Sequence, residues 1–203
     1  MTTLRPRKIK NVSHYQHIDS GLESLLKNKL IGNLSQSFIP GKDLIPVTGA
    51  MLKEEDLLAA IDVLLSGWLV GGPQQTQFEK ALANYVGSHS ALVVNSGSSA
   101  NLLAFSALCS PSLGDRALQP GDEAITVAAG FPTTINPILQ HQCIPVFVDI
   151  DPITANIDVD QVMDAITSKT KAIVIAHTLG NPFNIDAIQR RGRDSNLWLL
   201  EVN

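Results

Sequence analysis

Aromatic side chains are only 5% of the 203 residues, cysteine occurs twice, and no apolar run approaches bilayer length. The shortage of long apolar stretches argues against a membrane-spanning helix. The first twenty residues are polar and lack the apolar core of a secretory leader. Cys109 and Cys143 stand 34 positions apart, with no Cys-x-x-Cys spacing and no His-rich stretch nearby, so neither a zinc site nor any other metal site is expected. Both lie in apolar surroundings, where a buried, reduced thiol is the usual state, and the expected compartment is the reducing cytoplasm. There is no basic excess either: the net charge is −4, unlike a dedicated nucleic-acid binder. A short basic cluster near the N-terminus, Arg5, Arg7, Lys8 and Lys10, reads as a solvated tail. No internal repeat is visible. No Gly-x-Gly-x-x-Gly follows an apolar run and no Walker lysine is present, which weakens the case for an unrelated nucleotide-binding module.

What the chain does have is a core. Hydrophobic residues are 44% of the sequence and charged residues 17%, enough for one sizeable domain. Residues 1–50 read as a polar arm and linker, weakly helical around Gly21–Leu30 and broken by Pro and Gly over Ile39–Ala50. Lys53–Leu65 has helical periodicity, with Glu54, Glu55 and Asp56 in its first turn and Gly67 as its stop. A turn at Trp68–Pro73 leads to a helix over Gln74–Val86. Beyond it, short apolar runs alternate with helical segments. Strands are predicted at Ala91–Val94, Ala124–Ala128, Ile144–Val148, Ala172–Ala176 and Leu197–Leu200. Helices are predicted at Ser99–Cys109, Thr133–His141, Val159–Ile166 and Ile185–Arg190. Continuous apolar strands separated by helices indicate an α/β fold with a mostly parallel sheet covered on both faces.

In such sheets ligands bind beyond the carboxyl ends of strands. After the first run, Asn95-Ser96-Gly97-Ser98-Ser99-Ala100-Asn101 opens a helix with small residues and free amides, a place for an anion such as phosphate; a plain helix N-cap explains the serines equally well. After the second, Phe131 stands where a planar ring could stack on it, or it is a core residue. After the fourth, His177 precedes a Gly180-Asn181-Pro182 turn, as a ligand contact or a structural histidine. After the fifth come Glu201, Val202 and Asn203.

Five segments in this order resemble the DegT/StrS family of fold-type I pyridoxal-phosphate enzymes. They are Gly67–Gly72, Asn95–Leu102, Ala128–Thr134, Pro145–Asp149 and Ala176–Phe183, within Ile45–Asn203, and they are nearest the CDP-4-keto-6-deoxyglucose 3-dehydratase branch. The resemblance covers about the first half of a family member and places 51–203 in the N-terminal part of the large domain. It implies that Gly97 and Ser98 bind the cofactor phosphate, Phe131 stacks on the pyridine ring, His177 lies near the cofactor edge, and Trp68 with its glycines lines the sugar-nucleotide side. It implies pyridoxal or pyridoxamine phosphate as cofactor and C3 dehydration of a nucleotide-linked 4-keto-6-deoxysugar, CDP-4-keto-6-deoxyglucose-like, in deoxysugar or lipopolysaccharide biosynthesis. A homodimer and a reductase partner are implied too. Sugar-nucleotide aminotransferase and non-catalytic remnant are the alternatives.

The sequence departs from the family at Val202, where the family carries the aspartate that faces the pyridine nitrogen. The catalytic histidine or lysine and the ligands of a [2Fe–2S] cluster are not found, and Cys109 and Cys143 do not match the latter. The chain is expected to be a truncated, inactive form with no catalytic residue of its own, ending after the fifth strand. The sheet order the resemblance implies is third-second-fourth-fifth-sixth-seventh-first, in which the first strand pairs only with the seventh, so Ala91–Val94 is expected to lack a ladder partner.

Overall fold

The computed structural model describes residues 17–34, 38–45 and 52–203. The basic cluster at Arg5–Lys10 and the Pro46–Ala50 end of the linker lie outside them. The chain divides into two compact units, Met1–Ala91 and Leu92–Asn203.

The first unit is helical: α1 Ser20–Leu34, α2 Glu54–Ser66 and α3 Pro73–Val86. Each start and stop has a local cause. Asp19 caps α1 by accepting from the Leu22 amide at 2.8 Å. The Asp56 carboxylate reaches back to the Lys53 amide at 2.8 Å at the head of α2. Gly67, at φ 69°, closes α2 by donating its amide to the Leu64 carbonyl at 3.1 Å. Lys27 joins the two helices through Glu23 at 3.0 Å and Glu54 at 3.3 Å, which hold its ammonium above the ordinary lysine range. Asp62 is buried and accepts from the His17 amide at 2.6 Å. In the Trp68–Pro73 turn the indole N–H donates to the Gly71 carbonyl at 3.0 Å. A Cβ on Gly72 would come within 2.9 Å of the Trp68 ring, so the tight turn requires glycine there.

The second unit is an α/β sandwich. Its sheet contains β1 Glu123–Val127, β2 Ile144–Val148, β3 Thr170–Ala176 and β4 Trp198–Val202, all parallel, in the order β2-β1-β3-β4. The helices are α4 Gly97–Leu108, α5 Pro132–Gln140, α6 Val159–Ala165 and α7 Ile185–Asp194. Strand alternation sends side chains to two cores. On one face Ala124, Ala172, Val174 and Leu200 pack with Phe105 of α4 and Ile138 of α5. On the other, Ile125, Val127, Ile173 and Ile175 pack with Val162 of α6 and Ile188 of α7. Asp158 and Asn184 start α6 and α7 as side-chain caps, accepting from the Gln161 and Ala187 amides at 3.3 and 3.2 Å.

The predicted helices and four of the five predicted strands are present within a few residues of their expected bounds. Ala91–Val94 is the correction: it belongs to no strand, and Leu92 and Val93 are 73% and 40% exposed. A strand is a ladder shared by two backbones, and the four described strands pair among themselves. The remaining order matches the third-second-fourth-fifth sequence that the resemblance implies.

Two buried polar atoms among the described residues depart from the rule that such groups are bonded, Thr126 Oγ1 and His177 Nδ1. Thr126, fully buried in β1, has an Oγ1 without a partner. Thr126→Val removes that unpaired hydroxyl at constant shape and is expected to stabilise the chain by about 1 kcal/mol in urea unfolding. A loss of similar size would show instead that the hydroxyl is bonded.

Candidate functional site

The carboxyl end of the sheet is where the predicted site residues must meet. Helix α4 begins at Gly97 with Ser96 as its cap: Ser96 Oγ accepts from the Ser99 amide at 3.1 Å, and the Ser96 carbonyl accepts from the Ala100 amide at 3.0 Å. The amides of Gly97 and Ser98 precede the first intrahelical bond and stand at the positive end of the helix dipole. Both residues are exposed, and a Cβ on Gly97 would meet nothing within 4 Å, so space lies over this turn.

Helix α5 begins beside it. Phe131 is its cap residue, extended at φ −77° and ψ 136°, with Pro132 in the first turn. The Phe131 side chain is 70% exposed, so the core reading of this residue does not hold. Asn101 of α4 donates through Nδ2 to the Thr133 carbonyl at 3.4 Å and fastens the two helix starts together. A cleft of about 180 Å³ lies between them, lined by Ser98, Ser99, Leu102, Thr133, Asn136 and Gln140 among others. Ser98 and the first turn after Phe131 thus share one surface feature, although the Phe131 ring is not in the cleft lining.

His177 follows β3 but turns to the other face of the sheet. Its ring stacks on Phe183, with centroids 4.2 Å apart and planes at 3°. Its Nε2 is 3.3 Å from Glu201 Oε2, and its Nδ1 is buried without a partner. Residues Glu201 and Val202 alternate along β4. Glu201 therefore goes to His177, while Val202 packs against the core shared with α4 and α5. The loop carrying His177 is braced from below. Asn156, itself buried, donates to the Asn181 carbonyl at 3.0 Å and accepts from the Thr178 amide at 3.2 Å. Within this loop Leu179 takes φ 53° and is 99% exposed.

The structure thus brings Gly97, Ser98 and the Phe131 turn to adjoining helix starts, and sets His177 apart with Glu201 and Phe183. Trp68 belongs to the first unit. Sequence reasoning misses the Glu201 partnership, though a carboxylate one residue before Val202 on a strand must face the opposite way. Neither Asn101 nor Thr133 carries a sequence signal, because their meeting depends on how two helices pack. Among the described residues no group of three or more His, Cys, Asp and Glu side chains could hold a metal ion, and no helix is long and apolar enough to cross a membrane.

The DegT/DnrJ/EryC1/StrS aminotransferase family matches residues 50–201, and the chain belongs to that family. It is 51% identical over 164 residues to the lipopolysaccharide biosynthesis protein RfbH of Salmonella typhimurium, covering 81% of this chain and 38% of the relative. It is 46% identical over 169 residues to dTDP-4-dehydro-2,6-dideoxy-D-glucose 3-dehydratase of Saccharopolyspora spinosa, covering 83% and 37%. Among solved structures, the Escherichia coli GDP-4-keto-6-deoxy-D-mannose-3-dehydratase with bound hydrated PLP superposes with a TM-score of 0.73 at 37% identity, over 78% of this chain and 40% of that one. The chain therefore spans about two-fifths of the length of these relatives.

Ser96→Ala removes the α4 cap and is expected to cost about 1 kcal/mol of stability, measured by chemical denaturation. An unchanged midpoint would mean that α4 starts elsewhere.

Proposed function

We propose that this chain forms the phosphate and ring-face portion of a pyridoxal- or pyridoxamine-phosphate site in an enzyme that removes the C3 hydroxyl of a nucleotide-linked 4-keto-6-deoxysugar. The observation that carries this reading is the pairing of two adjoining helix starts, one offering free amides at Gly97 and Ser98 and the other an exposed ring at Phe131. The Gly97 and Ser98 amides and the Ser98 hydroxyl hold the phosphate, whose charge the α4 dipole favours. Phe131 covers the flat face of the pyridine ring and excludes water from it. The resemblance sets His177 near the cofactor edge; its ring is held by Glu201 and Phe183, apart from the α4 and α5 starts. When bound, the cofactor supplies an electron sink for bond cleavage beside the keto carbon.

The fit is good at the phosphate and the ring face and poor at the pyridine nitrogen. Val202 occupies the β4 position facing the α4 side and has no charge to offer a protonated ring. The residues of this chain bind and orient; none is assigned to move a proton. Cofactor binding without turnover is the expected behaviour of the chain by itself. That same valine favours the second reading, a non-catalytic member of the family, and the family match also admits sugar aminotransfer.

Residues 1–50 act as an arm to a domain over 51–203, which the start of the family match at residue 50 supports. The remaining assignments are a CDP-4-keto-6-deoxyglucose-like substrate, a cytoplasmic location, a homodimer, a reductase partner and a place in lipopolysaccharide or deoxysugar biosynthesis. The similarity to a lipopolysaccharide biosynthesis protein and to a nucleotide-sugar dehydratase supports the pathway and the substrate class, and the others rest on the family resemblance.

Absorbance titration with pyridoxal phosphate tests the site. Ser98→Asp places a carboxylate against the phosphate and is expected to abolish binding, while Phe131→Ala weakens it. Val202→Asp is expected to tighten it by about tenfold, the value of one charge-assisted hydrogen bond. Binding that ignores both the Ser98 and the Phe131 substitution would refute the site.

A further inference from the structure

At the opposite end of α4 a second cluster of reactive side chains stands outside the proposed cofactor site. Cys109 is the C-cap residue of α4, and Cys143 immediately precedes β2. They are distant in sequence but share one core. Cys143 is buried among Phe105, Leu118, Ala124 and Ile138, and Cys109 packs on the same cluster. The two thiols are free and stand near enough for each to act on the other's ionisation. The segment between α4 and β1 fastens both stems: the Leu118 amide donates to the Leu108 carbonyl at 2.9 Å, and the Gly121 amide donates to the Gln142 carbonyl at 2.9 Å. The Cys143 amide is tied to the Ile138 carbonyl at 3.0 Å, and its S–H points at the Gln119 carbonyl at 3.5 Å. Both backbones are therefore held, with the two side chains on one core. Access is unequal, since Cys109 is half-buried and Cys143 buried.

We propose that Cys109 and Cys143 form a dithiol modification site that a low-molecular-weight disulfide of the glutathione type oxidises to an intrachain disulfide. The accessible Cys109 sulfur, as thiolate, attacks one sulfur of the small disulfide, breaks its S–S bond and releases one small thiolate, which takes a proton from solvent. The resulting mixed disulfide sits against Cys143. Cys143 gives its proton to solvent base and attacks the Cys109 sulfur, forming the protein S–S bond and displacing the second small thiolate. The protein loses two hydrogens and two electrons, and the small disulfide is reduced to two thiols.

Burial sets the pace. It raises both thiols above the ordinary range, Cys143 to about 11, with the nearby Asp122 carboxylate adding to the effect on each. The His141 ring does not face the sulfurs: its Nε2 is engaged with Ser106 Oγ at 2.8 Å, and its carbonyl accepts from the Cys143 thiol. Closure is therefore slow near neutrality and faster as pH rises. A thiol of high pKa is also a poor leaving group, so the closed bridge reopens slowly. Closed, it would tie the end of the helix whose first turn carries Gly97 and Ser98 to the entry of β2.

The test uses the full, reduced chain incubated with oxidised glutathione at neutral and mildly alkaline pH, then acid-quenched, alkylated and weighed. The expected product has lost two hydrogens, resists alkylation, and yields one cross-linked peptide pair containing Cys109 and Cys143, more of it at the higher pH. The Cys143→Ser chain should instead stop at a stable glutathione adduct on Cys109. A wild-type chain that accumulates the glutathione adduct without closing, or leaves both thiols open to alkylation, overturns the proposal.

Discussion

The second unit depends on β3. This strand is bonded to β1 along one edge and to β4 along the other, and Ala172 to Ile175 within it are at most 2% exposed. Its alternating side chains enter both cores at once, Ala172 and Val174 toward α4 and α5, Ile173 and Ile175 toward α6 and α7. An apolar strand of this kind has no solvent face, so helices must cover both sides of the sheet. That requirement fixes where α4 and α5 start, beyond the carboxyl end of the sheet, and with it where amides and an exposed ring can serve a ligand. The site is a product of the layering more than of any one motif.

Strand alternation then sorts chemistry between the two faces. Along β4, Leu200 and Val202 join the α4 side while Glu201 crosses to meet His177. A carboxylate is present at the end of β4, but on the face where it pairs with a histidine. The face beside α4 receives a valine. A protonated pyridine ring needs an anionic partner, and the proposed site has an uncharged Val202 at that position.

Much of this is legible in the sequence because it is local. Short apolar runs, Gly67 as a helix stop and serines ahead of α4 each encode their own structure. The run Ala91–Val94 reads equally well as a strand, yet a strand is a relation between two segments, and the second segment cannot be read from the first. The same limit applies elsewhere. Nothing in the residues near Asn101 or Thr133 announces their contact across 32 positions, and Cys109 and Cys143 look like two isolated apolar thiols until the fold sets both on one core. His177 lies at the expected strand end, while its direction depends on the parity of β3.

The most direct test is a crystal structure of the chain grown with pyridoxamine phosphate. The account predicts phosphate oxygens on the amides of Gly97 and Ser98, with the ring lying over Phe131 and its nitrogen toward Val202. Density for the cofactor at any other helix start, or a ring that leaves Phe131 uncovered, would contradict it.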